Sequence, residues 1–200
     1  MLKRNKILTA LLASTTMVAS TASLAAETVS STASVTVQNA FTFGESVPLS
    51  FGTITVKKAT GTFDIGTAGT LALSPEGGTG TTGGTAATGG AITSIVAGTP
   101  GTFDISNASA FTDLTVTVTG PTDGLKNASA PSDNGYFILE AFSVRESGAT
   151  NNQVAPSTIT VKTDLAGAQS FTLGATLKIG NGEEFIDGVY SGSYTVKVAY

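Results

Sequence analysis

The chain has 200 residues and contains no cysteine, no histidine and no tryptophan. Without histidine it lacks the usual general base near neutral pH and the commonest ligand for zinc or copper. Without cysteine it has neither a thiol nucleophile nor a disulfide, and its net charge of −4 makes nucleic acid a poor partner.

Residues 1–25 read as a signal peptide. Lys3, Arg4 and Lys6 make a basic start, and "ILTALLASTTMVA" is an apolar run too short and too rich in Ser and Thr to span a bilayer. Ser23 and Ala25 then supply the small residues for cleavage after Ala25 or Ala26. Such a leader implies export through the inner membrane. Its removal takes three basic residues, leaving 7 basic against 14 acidic and a net charge of −7. Roughly 175 residues remain, which suits one domain with a substantial core. The expected division is an N-terminal extension at 26–45 and an all-β domain at 46–200.

Residues 29–43 alternate. Val29, Ala33, Val35, Val37, Phe41 and Phe43 occupy odd positions, and only Ser31 and Asn39 interrupt that apolar face. Fifteen residues at about 3.3 Å each would span roughly 50 Å, longer than a typical strand in one domain. Such an arm has two readings: it reaches beyond its own body, or it is the body's first strand.

Strand-like runs rich in Thr, Val, Ile and Phe then follow at short intervals. They are "VPLSFGTITV", "TLALS", "AITSIVA", "GTFDIS", "DLTVTVT", "GYFILEAFSV", "STITVKT", "SFTLGATLKI" and "GSYTVKVAY". No window after the leader has a helical period, so a two-layer β-sandwich is expected. "GTFDI" occurs at 61–65 and again at 101–105, read as two similar strand entrances. Residues 76–90, "EGGTGTTGGTAATGG", contain a formal G-x-G-x-x-G but lack the helix that a dinucleotide loop requires, so they read as a flexible polar loop.

Acidic residues offer little chemistry. Glu183 and Glu184 are adjacent in a turn and would diverge in a strand, while Asp64 and Asp104 are expected at strand ends facing water. No segment has the spaced ligand loop of a calcium site, and Asp133, Asn134, Glu183 and Asp187 are the nearest approach to one. Neither an enzyme activity nor a cofactor is expected.

The last residues alternate most regularly: Tyr190, Gly192, Tyr194, Val196, Val198 and Tyr200 share one face. Together "LSFGTITV" (49–56), "AGTPGTFDIS" (97–106), "LGATLKI" (173–179) and "GVYSGSYTVKVAY" (188–200) resemble a family of uncharacterised secreted bacterial β-domains, which is similar in turn to subunits of chaperone-usher pili. The resemblance spans about residues 49–200. It implies an incomplete immunoglobulin-like sandwich, completed in a fibre by the N-terminal strand of the next subunit. It further implies a periplasmic chaperone and an outer-membrane usher as partners, besides other copies of the chain or related subunits. The arm 29–43 would be the donor, with Val35, Val37, Phe41 and Phe43 filling pockets, and residues 190–200 would flank the acceptor groove. Burying five or six such side chains would contribute about 8–18 kcal/mol, comparable with the whole stability of a domain. Many pilins also carry a disulfide, which this chain cannot form.

Two other architectures fit parts of the pattern. An outer-membrane barrel also ends on an alternating strand with a terminal aromatic, although barrels carry aromatic girdles that 7% aromatic content without tryptophan scarcely supplies. A self-complete secreted or surface domain, binding a glycan or a neighbour through its loops, would fold the arm into its own sheet.

Overall fold

The computed structural model describes residues 28–37, 40–131, 134–155 and 158–200. The expected leader and its cleavage after Ala25 or Ala26 lie outside the described residues. The chain separates into two units, 1–36 and 37–200. In the first, residues 28–36 form neither strand nor helix and are exposed. Among the described residues no helix is long and apolar enough to cross a membrane.

The second unit is nearly all β. Its strands are β1 (Thr42–Val47), β2 (Thr53–Lys57), β3 (Thr70–Leu73), β4 (Thr81–Gly83), β5 (Ala91–Val96), β6 (Gly101–Ser106) and β7 (Asp113–Thr119). They continue with β8 (Lys126–Asn127), β9 (Phe137–Glu146), β10 (Gln153–Val154), β11 (Ile159–Lys162), β12 (Gln169–Ile179), β13 (Tyr190–Ser191) and β14 (Thr195–Ala199). Every pairing is antiparallel, as short Gly- and Asn-rich connections allow.

β12 organises the larger sheet. It pairs with β6 over Gln169–Leu173, with β3 over Ala175–Lys178 and with β9 along most of its length. β1 extends the sheet beyond β6, β4 lies beyond β3, and β10 pairs with β9. Phe171, Leu173, Ala175, Leu177 and Ile179 of β12 all face inward, the period-2 pattern of a half-buried strand. β9 cannot keep that period. Its inward residues are Phe137 and Leu139, then Phe142 and Val144. The phase changes at a bulge where Ala141 takes φ +49, setting two residues of β9 opposite Ala175.

The second layer is the three-stranded sheet β11–β7–β14. Its Leu114, Val116, Ile159 and Val161 pack against Phe103, Ile105, Phe142, Val144, Phe171 and Leu173 of the larger sheet, which makes a two-layer sandwich. A second cluster lies where β12 and β9 run past this layer: Leu71, Ile92, Phe137, Leu177 and Ile179 pack with Phe51, Phe185 and Tyr190 beneath the ladders β2–β5 and β8–β13.

Four expectations need correction. The alternation of 29–43 enters a strand only at Thr42, and that strand runs to Val47, so the division at 45/46 falls inside β1. Residues 76–90 are not a plain loop: they contain β4 and a single helical turn, Ala86–Gly89. The first "GTFDI" leads into a 3-10 turn at Ile65–Thr67, where Asp64 accepts from Gly66 N at 2.8 Å, whereas the second is β6. In that strand Asp104 sits mid-element. The hydrogen bond from Ser170 Oγ, and then that from Ser46, holds its carboxyl below its ordinary value.

Candidate functional site

β7 has a neighbour on each side, and the two neighbours end differently. On β11 the outward backbone groups are all bonded to side chains. Gln153 Nε2 donates to Thr160 O at 2.6 Å, and Thr160 N donates back to Gln153 Oε1 at 2.8 Å. One step along, Lys162 N donates to Glu146 Oε1 at 2.8 Å, and Gln169 Nε2 donates to Lys162 O at 2.8 Å and also to Glu146 Oε1. These amide and carboxylate groups stand where the next strand of a sheet would be. Behind them Ile159 and Val161 are 1% and 0% exposed.

The alternation of an antiparallel ladder then fixes the directions on β14. Because Thr160 and Lys162 face outward, Ile159 and Val161 bond to their partners Val116 and Leu114. Thr115, Thr117 and Thr119 of β7 are left to bond Ala199, Lys197 and Thr195. The N–H and C=O groups of Val196 and Val198 therefore point away from β7. Among the described residues no strand pairs with that edge and no side chain bonds those groups. Their side chains face the core but are only half-buried.

An edge strand of the larger sheet, β1, lies across from this one. Tyr194 Oη donates to Glu45 Oε1 of β1 at 2.9 Å, and the Phe41 ring meets Tyr200 edge-on at 5.5 Å. Burial first, and then the bond to the Glu45 carboxylate, pushes the Tyr194 phenol well above its ordinary value. Tyr200 Oη accepts from Ser109 N at 3.4 Å. The two sheet edges are thus bridged by tyrosines, and no third strand lies between them among the described residues.

The residues expected in the arm fall into two groups. Val29, Ala33, Val35 and Val37 are exposed and outside any strand, with the three valines 91%, 85% and 76% accessible. Phe41 and Phe43 instead belong to the body. Phe43, in β1, stacks on Phe103 at 5.7 Å and Phe171 at 6.1 Å. The expected donor of residues 29–43 therefore shortens to the stretch before Phe41, because the two phenylalanines already fill the chain's own core.

The C-terminal set divides as well. Tyr194, Val196, Val198 and Tyr200 join the first cluster, while Tyr190 joins the second, against Phe137 and Phe185. The run breaks at Gly192, where a Cβ would lie 2.7 Å from Gly124 O. β13 thus pairs with β8 and β14 with β7, so residues 190–200 are two strands and not one. Sequence reasoning missed Gln153, Glu146 and Gln169 altogether; each is an ordinary polar residue in a strand-like run, with no local signal.

The other acidic candidates do not converge. Glu184 forms an exposed ion pair with Lys58 at 2.8 Å, Glu183 and Asp187 are exposed, and Asp133 lies outside the described residues. Among the described residues no group of three or more acidic side chains is placed to hold a metal ion. A polar cleft of about 410 Å³ is lined in part by Asp123, Lys126, Asn127, Tyr136 and Asn181. Among the described residues, Asn134 Nδ2 and Asn181 Oδ1 are buried there without a partner.

The family described as a domain of unknown function, DUF4402, matches residues 41–200, and the chain belongs to it. The match begins at Phe41, the residue that meets Tyr200. No curated protein and no solved structure gave a match.

Proposed function

Taking membership of that uncharacterised family as the premise, we propose that the chain is a structural subunit of a surface fibre, similar to a fimbria or pilus, assembled by donor-strand exchange and serving adhesion. In this reading residues 29–37 of one copy add to the outer edge of β14 in the next, which completes an immunoglobulin-like sandwich. The observation that carries it is a matched pair: an edge whose Val196 and Val198 backbone groups have no partner among the described residues, and an exposed segment with valines at 29, 35 and 37. An added strand would bond those backbone groups, and alternate side chains would cover the half-buried face of β14. Three valines contribute about 5–9 kcal/mol if fully buried, roughly half of what the longer arm with its phenylalanines would give. The body, which already contains β1, is correspondingly less dependent on its donor. An unpaired edge is also an aggregation hazard, which a periplasmic chaperone would cover before an outer-membrane usher passes the subunit on. No enzymatic role or cofactor enters this reading.

Electrophoresis of a sheared cell-surface fraction and an outer-membrane fraction, each loaded with and without boiling, tests it. Non-covalent strand exchange gives a ladder that collapses to one band on boiling and disappears in a Val35→Arg variant. A single band in both lanes contradicts it, and a membrane-fraction band that shifts on boiling would point to a barrel.

A second reading has its own support. The cleft at Asn134 and Asn181 has one donor and one acceptor with no partner among the described residues, as expected of a self-complete secreted domain that takes a polar ligand through its loops. That reading requires no partner strand.

A further inference from the structure

Strand addition is not selective by itself, because any free sheet edge offers the same backbone groups. The body has two edges on one three-stranded sheet, and both are built from similar residues: "ITVK" in β11 and "TVKVA" in β14. We infer that Gln153, Glu146 and Gln169 are the residues that decide which edge takes a strand, by occupying the outer edge of β11 as a side-chain replacement for one. This rests on the strand-exchange reading above and adds to it the reason why only one of the two edges of the β11–β7–β14 sheet is an acceptor.

The geometry is that of a strand in miniature. A backbone neighbour would offer one N–H and one C=O to each outward-facing residue of β11. The Gln153 carboxamide offers both to Thr160, at 2.6 and 2.8 Å. At Lys162 the pair is divided: Glu146 supplies the acceptor and Gln169 the donor, each at 2.8 Å. The Gln169 amide also donates to the Glu146 carboxylate, which holds the two together. An incoming strand would have to displace all four bonds to gain four, whereas at Val196 and Val198 no strand or side chain among the described residues would have to be displaced. The two edges therefore differ by a complete set of protein hydrogen bonds, although their sequences hardly differ.

The test uses the full chain with its own arm disabled by Val35→Arg and Val37→Arg, and a synthetic peptide of residues 28–40 as the probe. Residue-resolved amide hydrogen exchange is read with and without peptide. With the edge intact, the peptide should slow Val196 and Val198 by about tenfold or more and leave Thr160 and Lys162 unchanged. In the added Glu146→Ala, Gln153→Ala, Gln169→Ala variant, Thr160 and Lys162 should exchange fast alone and become slowed by peptide as well. Ile159 and Val161, which face β7, report that the variant is folded. If they lose protection, Gln153→Ala alone opens Thr160 while Glu146 and Gln169 stay in place. Two results overturn the inference: peptide protection of Thr160 and Lys162 in the intact chain, or none in a folded variant. Failure at Val196 and Val198 alone, with protection gained at Thr160 and Lys162, would instead sink the strand-exchange reading and leave the role of the three residues standing.

Discussion

The two sides of β7 carry the same three-letter word, Thr-Val-Lys, at 160–162 and at 195–197. On one side the valine is fully buried and the flanking backbone is bonded by glutamine and glutamate side chains; on the other the valine is half-buried and its own outward backbone has no partner among the described residues. What differs is not the strand but what stands beyond it. An edge strand becomes inert or receptive through residues that are distant in sequence, here at 146, 153 and 169.

Substitutions can break this comparison, and the largest effect should come from Phe43→Ala. Phe43 stacks on two core phenylalanines, so its loss should cost about 3–5 kcal/mol of stability in urea unfolding. An unchanged midpoint would return Phe43 to the arm. Next in size, Ile159→Ala on the covered side should cost about 2–5 kcal/mol. Val198→Ala on the open side should cost about 1 kcal/mol in the isolated subunit, because its side chain is already partly hydrated. Equal losses would remove the asymmetry. Smaller still, Tyr194→Phe should cost about 1 kcal/mol or less by deleting the bond to Glu45. The Tyr194 phenol is raised above its ordinary value in the fold. Its contribution is therefore complete below about pH 10, its unfolded value, and is lost as pH rises beyond it. The phenylalanine variant should accordingly show a flatter decline in stability at alkaline pH. Least of all, Val29→Ala should leave the stability of the body within about 0.5 kcal/mol of the parent, since Val29 is 91% exposed.

Much of the fold was legible because its signals are local. The alternation of "SFTLGATLKI" is the alternation of β12, and "DLTVTVT" is β7. Where the reading failed, a distant neighbour prevailed over the local pattern. "GTFDI" is a strand at 101–105, where β1 and β12 flank it, and not at 61–65, where the chain turns on Asp64. The period of 29–43 is uniform, but only its last two apolar residues find a core to enter. The ending 190–200 looks continuous until Gly192, whose close approach to Gly124 divides it. The candidate site was half legible. Val196 and Val198 stand out by alternation, whereas the residues covering the opposite edge are three polar side chains brought together only by folding.

The central claim is that residues 29–37 of one copy lie against β14 of another. Because the chain has no cysteine, any disulfide between introduced cysteines reports contact directly. Copies carrying Val35→Cys would be mixed with copies carrying a cysteine in place of Tyr194, Val196 or Val198, and in parallel with copies carrying Thr160→Cys. A mixed dimer is expected with one of the three β14 positions and none with Thr160. Moving the arm cysteine to Val37 should shift the preferred partner by two residues, the step of a paired strand. Equal yields at Thr160, or no mixed dimer at any β14 position, would contradict it.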